Sequence, residues 1–259
     1  MSTATTAAPI DLNADLGEGL GAWSMGDDQA MLQVVTTANV ACGGHAGDPG
    51  TMRRCAAMAA AADVAITAHV SYPDLAGFGR RFLDISADDL RNLVLVQVGA
   101  LQAIARAEGT RVRGVKPHGA LYNALAHHEA QAGAVVAALA DLGGQLALVA
   151  APGSVAARRA QEEGIPVVLE AFADRGYRSD GTLVPRGEPG ALLTDTSQVL
   201  ERVLGIAREH GVRAVDGSWV RLGARSVCLH GDTPGAVELA RAVRSGLEDA
   251  GIPLGPAIP

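Results

Sequence analysis

The sequence predicts an α/β fold, a distorted seven-stranded parallel (β/α) barrel, and three features predict it. Seven short apolar runs recur along the 259 residues, segments with helical period and recognisable caps lie between them, and each run ends in a knot of polar residues or a turn. Alternation of strand and helix implies parallel strands joined by right-handed crossovers. Parallel strands collect their C-terminal ends on one face, where residues distant in sequence meet. An open doubly wound sheet is the alternative, and the length suits a single closed barrel.

The first run closes as Ile10-Asp11-Leu12-Asn13-Ala14-Asp15, where Asn13 and Asp15 share one side of an extended chain. The second ends Val40-Ala41-Cys42-Gly43-Gly44-His45, after which Asp48 and Pro49 cap and open an Ala-rich helix through Ala62. Ile66-Thr67-Ala68-His69 is the third, followed by a helix from Ser86, with Asp89 three residues on, to Gly109. The fourth is Val115-Lys116-Pro117-His118, and the helix from His128 to Leu142 stops at Gly143-Gly144. Leu148 to Pro152 is the fifth and offers no ionisable group, with a helix from Ser154 to Glu163 behind it. The sixth, Val168-Leu169-Glu170, precedes a helix from Thr196 to His210, and the seventh, Val227-Cys228-Leu229-His230-Gly231-Asp232, precedes one opened by Thr233-Pro234 and stopped at Gly251. Two long connections, Ser71 to Leu83 and Ala171 to Leu193, stand where lids and binding walls are built.

No linker or repeat divides the chain, so residues 10–259 are read as one barrel domain behind a disordered tail, residues 1–9. A net charge of -7 excludes the basic footprint of a nucleic-acid or anionic-membrane binder. Three cysteines without a C-x-x-C pair, no signal peptide and no long apolar span point to a reduced, cytoplasmic protein.

Lys116 carries the strongest local signal. It is the only lysine among 21 basic residues. A compact ammonium with an adjustable pKa does what a planar guanidinium cannot, although a lysine snorkelling beside a strand end is the bland alternative. His45, His69, His118 and His230 each sit at the end of a different strand, whereas His127, His128 and His210 lie at helix ends. Asp15, Glu18, Glu170, Asp174 and Asp232 are the strand-end carboxylates, with helix capping as the plain reading of Asp232. Asp15 with several histidines is also a plausible divalent-metal set. Spacing lends that no support, since neither an H-x-x-x-H helix nor an H-x-H strand occurs, and no residue is assigned to a metal. Gly17, Gly19 and Gly21 lack dinucleotide-loop spacing, and neither a P-loop nor a G-x-S-x-G elbow is present.

Several multi-residue segments resemble the signatures of the LamB/YcsF lactam-utilisation family. They are Asp11 to Glu18, Asn39 to Asp48, Ala68 to Asp74, Gly77 to Arg81, Lys116 to Tyr122, Glu170 to Tyr177 and His230 to Ala236, in order along the chain. The resemblance implies a barrel of the glycoside hydrolase/deacetylase kind. It also implies cleavage of 5-oxo-L-proline to L-glutamate coupled to ATP hydrolysis, in a complex with 5-oxoprolinase subunits B and C. With no phosphate loop here, ATP and its Mg²⁺ are expected to bind with or through those partners. Rival readings are a metal-dependent, deacetylase-like amidohydrolase acting alone, and a non-catalytic regulatory protein of the complex.

A five-membered lactam is an unactivated amide, and phosphorylating its oxygen would make the ring carbon electrophilic. Asp15 or Glu170 is then the expected activator of water, with Lys116 and His118 stabilising negative charge. His45 and His69 are the expected proton donors to the ring nitrogen. Arg80 or Arg175 is expected to clamp the substrate carboxylate. Asn13, Tyr72, Tyr122 and Asn123, with Asp174 and His230, complete the expected substrate contacts.

Overall fold

The computed structural model describes residues 9–185, 187–231 and 235–259. Strand β1 (Asp11–Leu16) is followed by a short helix α1 (Asp28–Leu32), then β2 (Thr37–Ala41), α2 (Pro49–Ala61), β3 (Ala65–Val70) and α3 (Ala87–Ala107). Next come β4 (Val112–Pro117), α4 (Gly119–Ala124), α5 (Glu129–Asp141), β5 (Ala147–Ala150), α6 (Val155–Glu162), β6 (Val167–Phe172) and α7 (Thr196–Glu209). The chain ends with β7 (Gly211–Arg213), β8 (Trp219–Arg221), β9 (Ser226–Leu229) and α8 (Ala236–Asp249).

All seven expected strands form and close into one parallel barrel in the order β1-β2-β3-β4-β5-β6-β9. The closure settles the choice between barrel and open sheet. Alternate residues of the strands, such as Leu12, Ala14, Val40, Ile66, Val115 and Leu148, are fully buried in a shared core with helix residues such as Val94, Leu101, Val135 and Leu139. Each of the larger side chains among them contributes about 1.5–3 kcal/mol by leaving water.

The helix ends follow the local chemistry of the sequence. Asp48 accepts from the Gly50 and Thr51 amides to start α2, and Ser86 accepts from the Asp89 amide to start α3. His128 accepts from the Gln131 amide at the start of α5, which accounts for that histidine. His210 itself takes the left-handed conformation (φ 56°) that ends α7, one residue before the expected glycine. Thr233-Pro234 and Asp232 lie outside the described residues, as does all of the expected tail except Pro9, whose carbonyl accepts from Arg225.

The small elements α1, α4 and the antiparallel β7-β8 hairpin were not expected. The hairpin had a visible signal, an Asp216-Gly217 turn between alternating residues.

The barrel interior is a hydrogen-bonded polar column. At its lower end Asp11 accepts from Thr36, Thr37 and Ser226. One level up, the Asn39 amide donates to Asn13 and Asp15 while Thr67 donates to Asn39. Ile258, packed with Ala65, Ala147, Val149 and Val168, plugs the end opposite the strand C-termini. Since the column satisfies its own polar groups, it fixes the register of the residues above it.

Candidate active site

Directly above the column, the strand C-termini open into a cavity of about 440 Å³. Asp15, Glu18, His69, Lys116, His118 and His230 form its floor and inner wall. Arg80 on the β3-α3 connection, and Arg175, Leu183 and Pro185 on the β6-α7 connection, form the outer wall. Both long connections therefore border the site.

Strand β4 delivers Lys116 next to His69 of β3, with which it is in register. The Lys116 Nζ donates to Asp15 Oδ1 at 2.8 Å, to Cys228 Sγ at 3.1 Å and to Asn13 Oδ1 at 3.3 Å, and lies 3.2 Å from Glu170 Oε1. Burial alone would discharge this lysine, which is 2% exposed, but the Asp15 and Glu170 carboxyl groups hold its ammonium well above the usual range. It is a fixed cation, and the compactness of the ammonium explains the solitary lysine better than an adjustable pKa does. Burial pushes the Asp15 carboxyl up, yet His69 and Lys116 outweigh it and keep the group ionised. Cys228 stays a thiol, because burial raises it more than Lys116 lowers it.

Glu170 sits on the far side of that ammonium. Its side chain is fully buried, accepts from Asn13 Nδ2 at 2.9 Å and does not border the cavity. Burial, opposed by Lys116, raises its pKa. Glu170 and Asn13 are thus corrected from water activation and substrate contact to positioning Lys116. Tyr122 borders the cavity on α4, with its phenol pushed well up by burial and by Glu170, and Asn123 is exposed at the rim.

The histidines separate into two groups. His230 donates from Nδ1 to the Asp174 carboxylate at 2.8 Å and stacks on Phe172, with ring centroids 5.7 Å apart. Asp174 therefore orients His230 and does not itself border the cavity. His45, His69 and His118 cluster with Glu18 on the opposite side. His45 and His118 stack with centroids 3.6 Å apart, and His45 Nε2 lies 2.9 Å from Glu18 Oε1. Burial, then the neighbouring His69, pushes both His45 and His118 down to about 2, so both rings are neutral. His45 is covered by the other two rings and does not border the cavity, which removes it as a direct proton donor to a ligand there.

Gly79, at φ +62°, makes this packing possible. A Cβ there would stand 2.8 Å from His45 Cβ and 2.9 Å from His118 Cδ2.

Two further expectations change. Tyr72 is fully buried, packs edge-on against Phe82 and donates to Gln131 of α5, so it braces helices and does not border the cavity. Arg175 borders the cavity, but its Nε and Nη2 donate to the Ala191 and Val184 carbonyls and shape the outer wall. Arg80, exposed at the rim with its guanidinium 5.1 Å from the Phe78 ring centroid, is the better placed of the two to meet an anionic ligand. Glu18 is the residue whose importance the sequence reading understated. Its signal lay in the Asp15-Leu16-Gly17-Glu18 segment, where Gly17 takes φ +68° directly after β1.

Comparisons with known proteins cover nearly the whole chain. The LamB/YcsF family model matches residues 10–258. A Kocuria rhizophila protein named as the A subunit of 5-oxoprolinase is 58% identical over 243 residues, 94% of this chain and 96% of that protein. Its namesake in Streptomyces avermitilis is 57% identical, with 94% and 97% covered. A crystal structure of a lactam utilization protein from Thermus thermophilus superimposes with a TM-score of 0.92 at 42% identity, covering 96% of this chain and 99% of that one.

Proposed function

The chain belongs to the LamB/YcsF family, and from that membership together with the cavity we propose that it is the A subunit of an ATP-dependent 5-oxoprolinase, opening 5-oxo-L-proline to L-glutamate with partner subunits B and C. The observation that carries the reading is a small cavity floored by the permanently charged Asp15–Lys116 pair and flanked by the Asp174–His230 dyad.

The cavity admits a small anionic ring, and Arg80 at its rim offers a charged partner for the substrate carboxylate. ATP is consumed to place a phosphoryl group on the lactam oxygen, a step assigned to the complex because this chain has no phosphate loop. Water then adds to the ring carbon, the carbon–nitrogen bond breaks and the nitrogen takes a proton. The resulting γ-glutamyl phosphate reacts with a second water to release phosphate and glutamate. Lys116 stabilises the negative charge that builds on the ring carbon's oxygens, where a preorganised buried cation is most effective. His230, with its Nδ1 proton held by Asp174, uses its other ring nitrogen to take a proton from water and pass it to the departing nitrogen.

The test is glutamate release from 5-oxo-L-proline by the chain copurified with its partner subunits. Release that requires ATP, this chain and each partner supports the reading. Undiminished release without this chain, or with Asp15 and Lys116 both replaced by alanine, overturns it.

A further inference from the structure

Four ligand-capable side chains, Glu18, His45, His69 and His118, converge beside the cavity with one donor atom from each lying within 4.8 Å of all the others. Their hydrogen bonds fix where the ring protons are. His69 Nδ1 lies 2.9 Å from the Lys116 carbonyl oxygen, and His118 Nε2 lies 2.9 Å from the Phe78 carbonyl oxygen. A carbonyl only accepts, so each ring donates from that nitrogen, and a neutral ring then presents a lone pair from the other. Those other nitrogens, His69 Nε2 and His118 Nδ1, face each other at 3.0 Å.

Carboxylate oxygens crowd the same point. Glu18 Oε1 is 3.5 Å from His118 Nδ1 and 3.9 Å from His69 Nε2, and Asp15 Oδ2 is 3.2 Å from His69 Nε2. His45 Nε2 carries that ring's proton toward Glu18, while His69 Nε2, His118 Nδ1 and the Asp15 and Glu18 oxygens converge on a point that calls for one positive charge, which a proton between the His69 and His118 rings or a bound cation supplies. The buried His45 Nδ1 is a further polar atom without a hydrogen-bond partner among the described residues.

We propose that Glu18, His45, His69 and His118 form a binding site for one divalent transition-metal ion of the zinc class. Three imidazoles and one carboxylate are a borderline donor set that suits Zn²⁺ better than the all-oxygen ions Mg²⁺ and Ca²⁺. A tetrahedral ion bound at about 2.0–2.1 Å holds its donor atoms about 3.3–3.4 Å apart. The separations here, 2.9 Å for His45–Glu18, 3.0 Å for His69–His118, 3.5 Å for His118–Glu18 and 3.9 Å for His69–Glu18, lie on both sides of that value. Backbone carbonyls behind His69 and His118 orient the rings as the supporting partners of metal-bound histidines do. Glu18, His69 and His118 border the cavity, which gives the ion an entry path. The site rests on this chain's geometry alone and does not depend on which substrate is processed.

The experiment is metal content and binding on the full-length chain, stripped with chelator and then dialysed against Zn²⁺ or Co²⁺. One ion per chain is expected, with a rise in melting temperature and, for Co²⁺, the visible absorption of a four-coordinate nitrogen and oxygen site. His118→Ala and Glu18→Gln are expected to weaken binding at least about 10-fold, the lower end of what disturbing a metal site's supporting partners costs. His127→Ala and His210→Ala, at helix ends, should bind as the unaltered chain does. Substoichiometric binding by the unaltered chain, or binding unchanged in both site variants, would overturn the proposal and leave a proton shared between His69 and His118 as the central charge. The Co²⁺ spectrum of the unaltered chain decides the matter even if a variant fails to fold.

Discussion

Asp15 and Lys116 are 101 residues apart in sequence, and their Oδ1 and Nζ atoms lie 2.8 Å apart at the floor of the cavity. Each keeps the other ionised in a place where burial would neutralise either alone. The pair is therefore a permanent dipole aimed into the site, held from below by Asn13, Asn39 and Glu170.

Lys116→Arg tests whether charge alone is enough. The ammonium is contacted at once by Asn13, Asp15, Glu170 and Cys228, a compact set of partners that a larger planar guanidinium does not reproduce. ATP-dependent glutamate release should fall by about 10²-fold or more, the cost of losing one aligned transition-state donor. Lys116→Met should also lower unfolding stability by about 3–5 kcal/mol in urea, because it strands buried carboxylates. An arginine variant with unaltered turnover would refute the packing argument.

Asp174→Asn separates orientation from binding. His230 would lose the partner that fixes its Nδ1 proton, while the cavity lining stays intact. We expect kcat to fall by about 10²-fold, the low end of general acid–base contributions, with KM nearly unchanged. A rise in KM at constant kcat would assign His230 to substrate binding only.

Tyr72→Phe checks the correction made by the fold. It removes the donor to the buried Gln131 carbonyl and nothing in the cavity. Unfolding stability should drop by about 1–3 kcal/mol, the cost of leaving a buried acceptor unpaired, with activity preserved at permissive temperature. Loss of activity without loss of stability would return Tyr72 to the substrate site.

Asp48 supplies a pH signature. It accepts from the Gly21, Gly50 and Thr51 amides, and the first of these bonds leads the causes that lower its pKa to about 2. A depressed carboxylate stabilises the fold above its unfolded value near 4 and loses that contribution as pH falls toward 2. Asp48→Ala should therefore melt lower than the unaltered chain at about pH 6, with the gap closing between about pH 4 and pH 2. A gap independent of pH across that window would contradict the assignment.

Much of the fold was legible because local signals agreed with one another. Apolar runs marked all seven barrel strands, and Asp48, Ser86 and Ser154 marked helix starts through side-chain oxygens that cap adjacent amides. Short elements were not legible. Helix α4 spans six residues and strands β7 and β8 three each, too few for a period to register.

The sequence by itself determined which residue types stand at the strand ends, since a parallel α/β chain must present those ends on one face. It also singled out Lys116, the lone lysine. Only the tertiary structure decided which of these side chains border the cavity. Side chains at successive strand positions point to opposite faces, and closure of the barrel sets how deep each level lies. Hence Asp15, one level above Asn13 on the same strand, borders the cavity while Asn13 and Glu170 are sealed beneath it. Closure likewise brought Glu18, His45, His69 and His118 from four separate segments to within 4.8 Å, a proximity that no sequence spacing encodes.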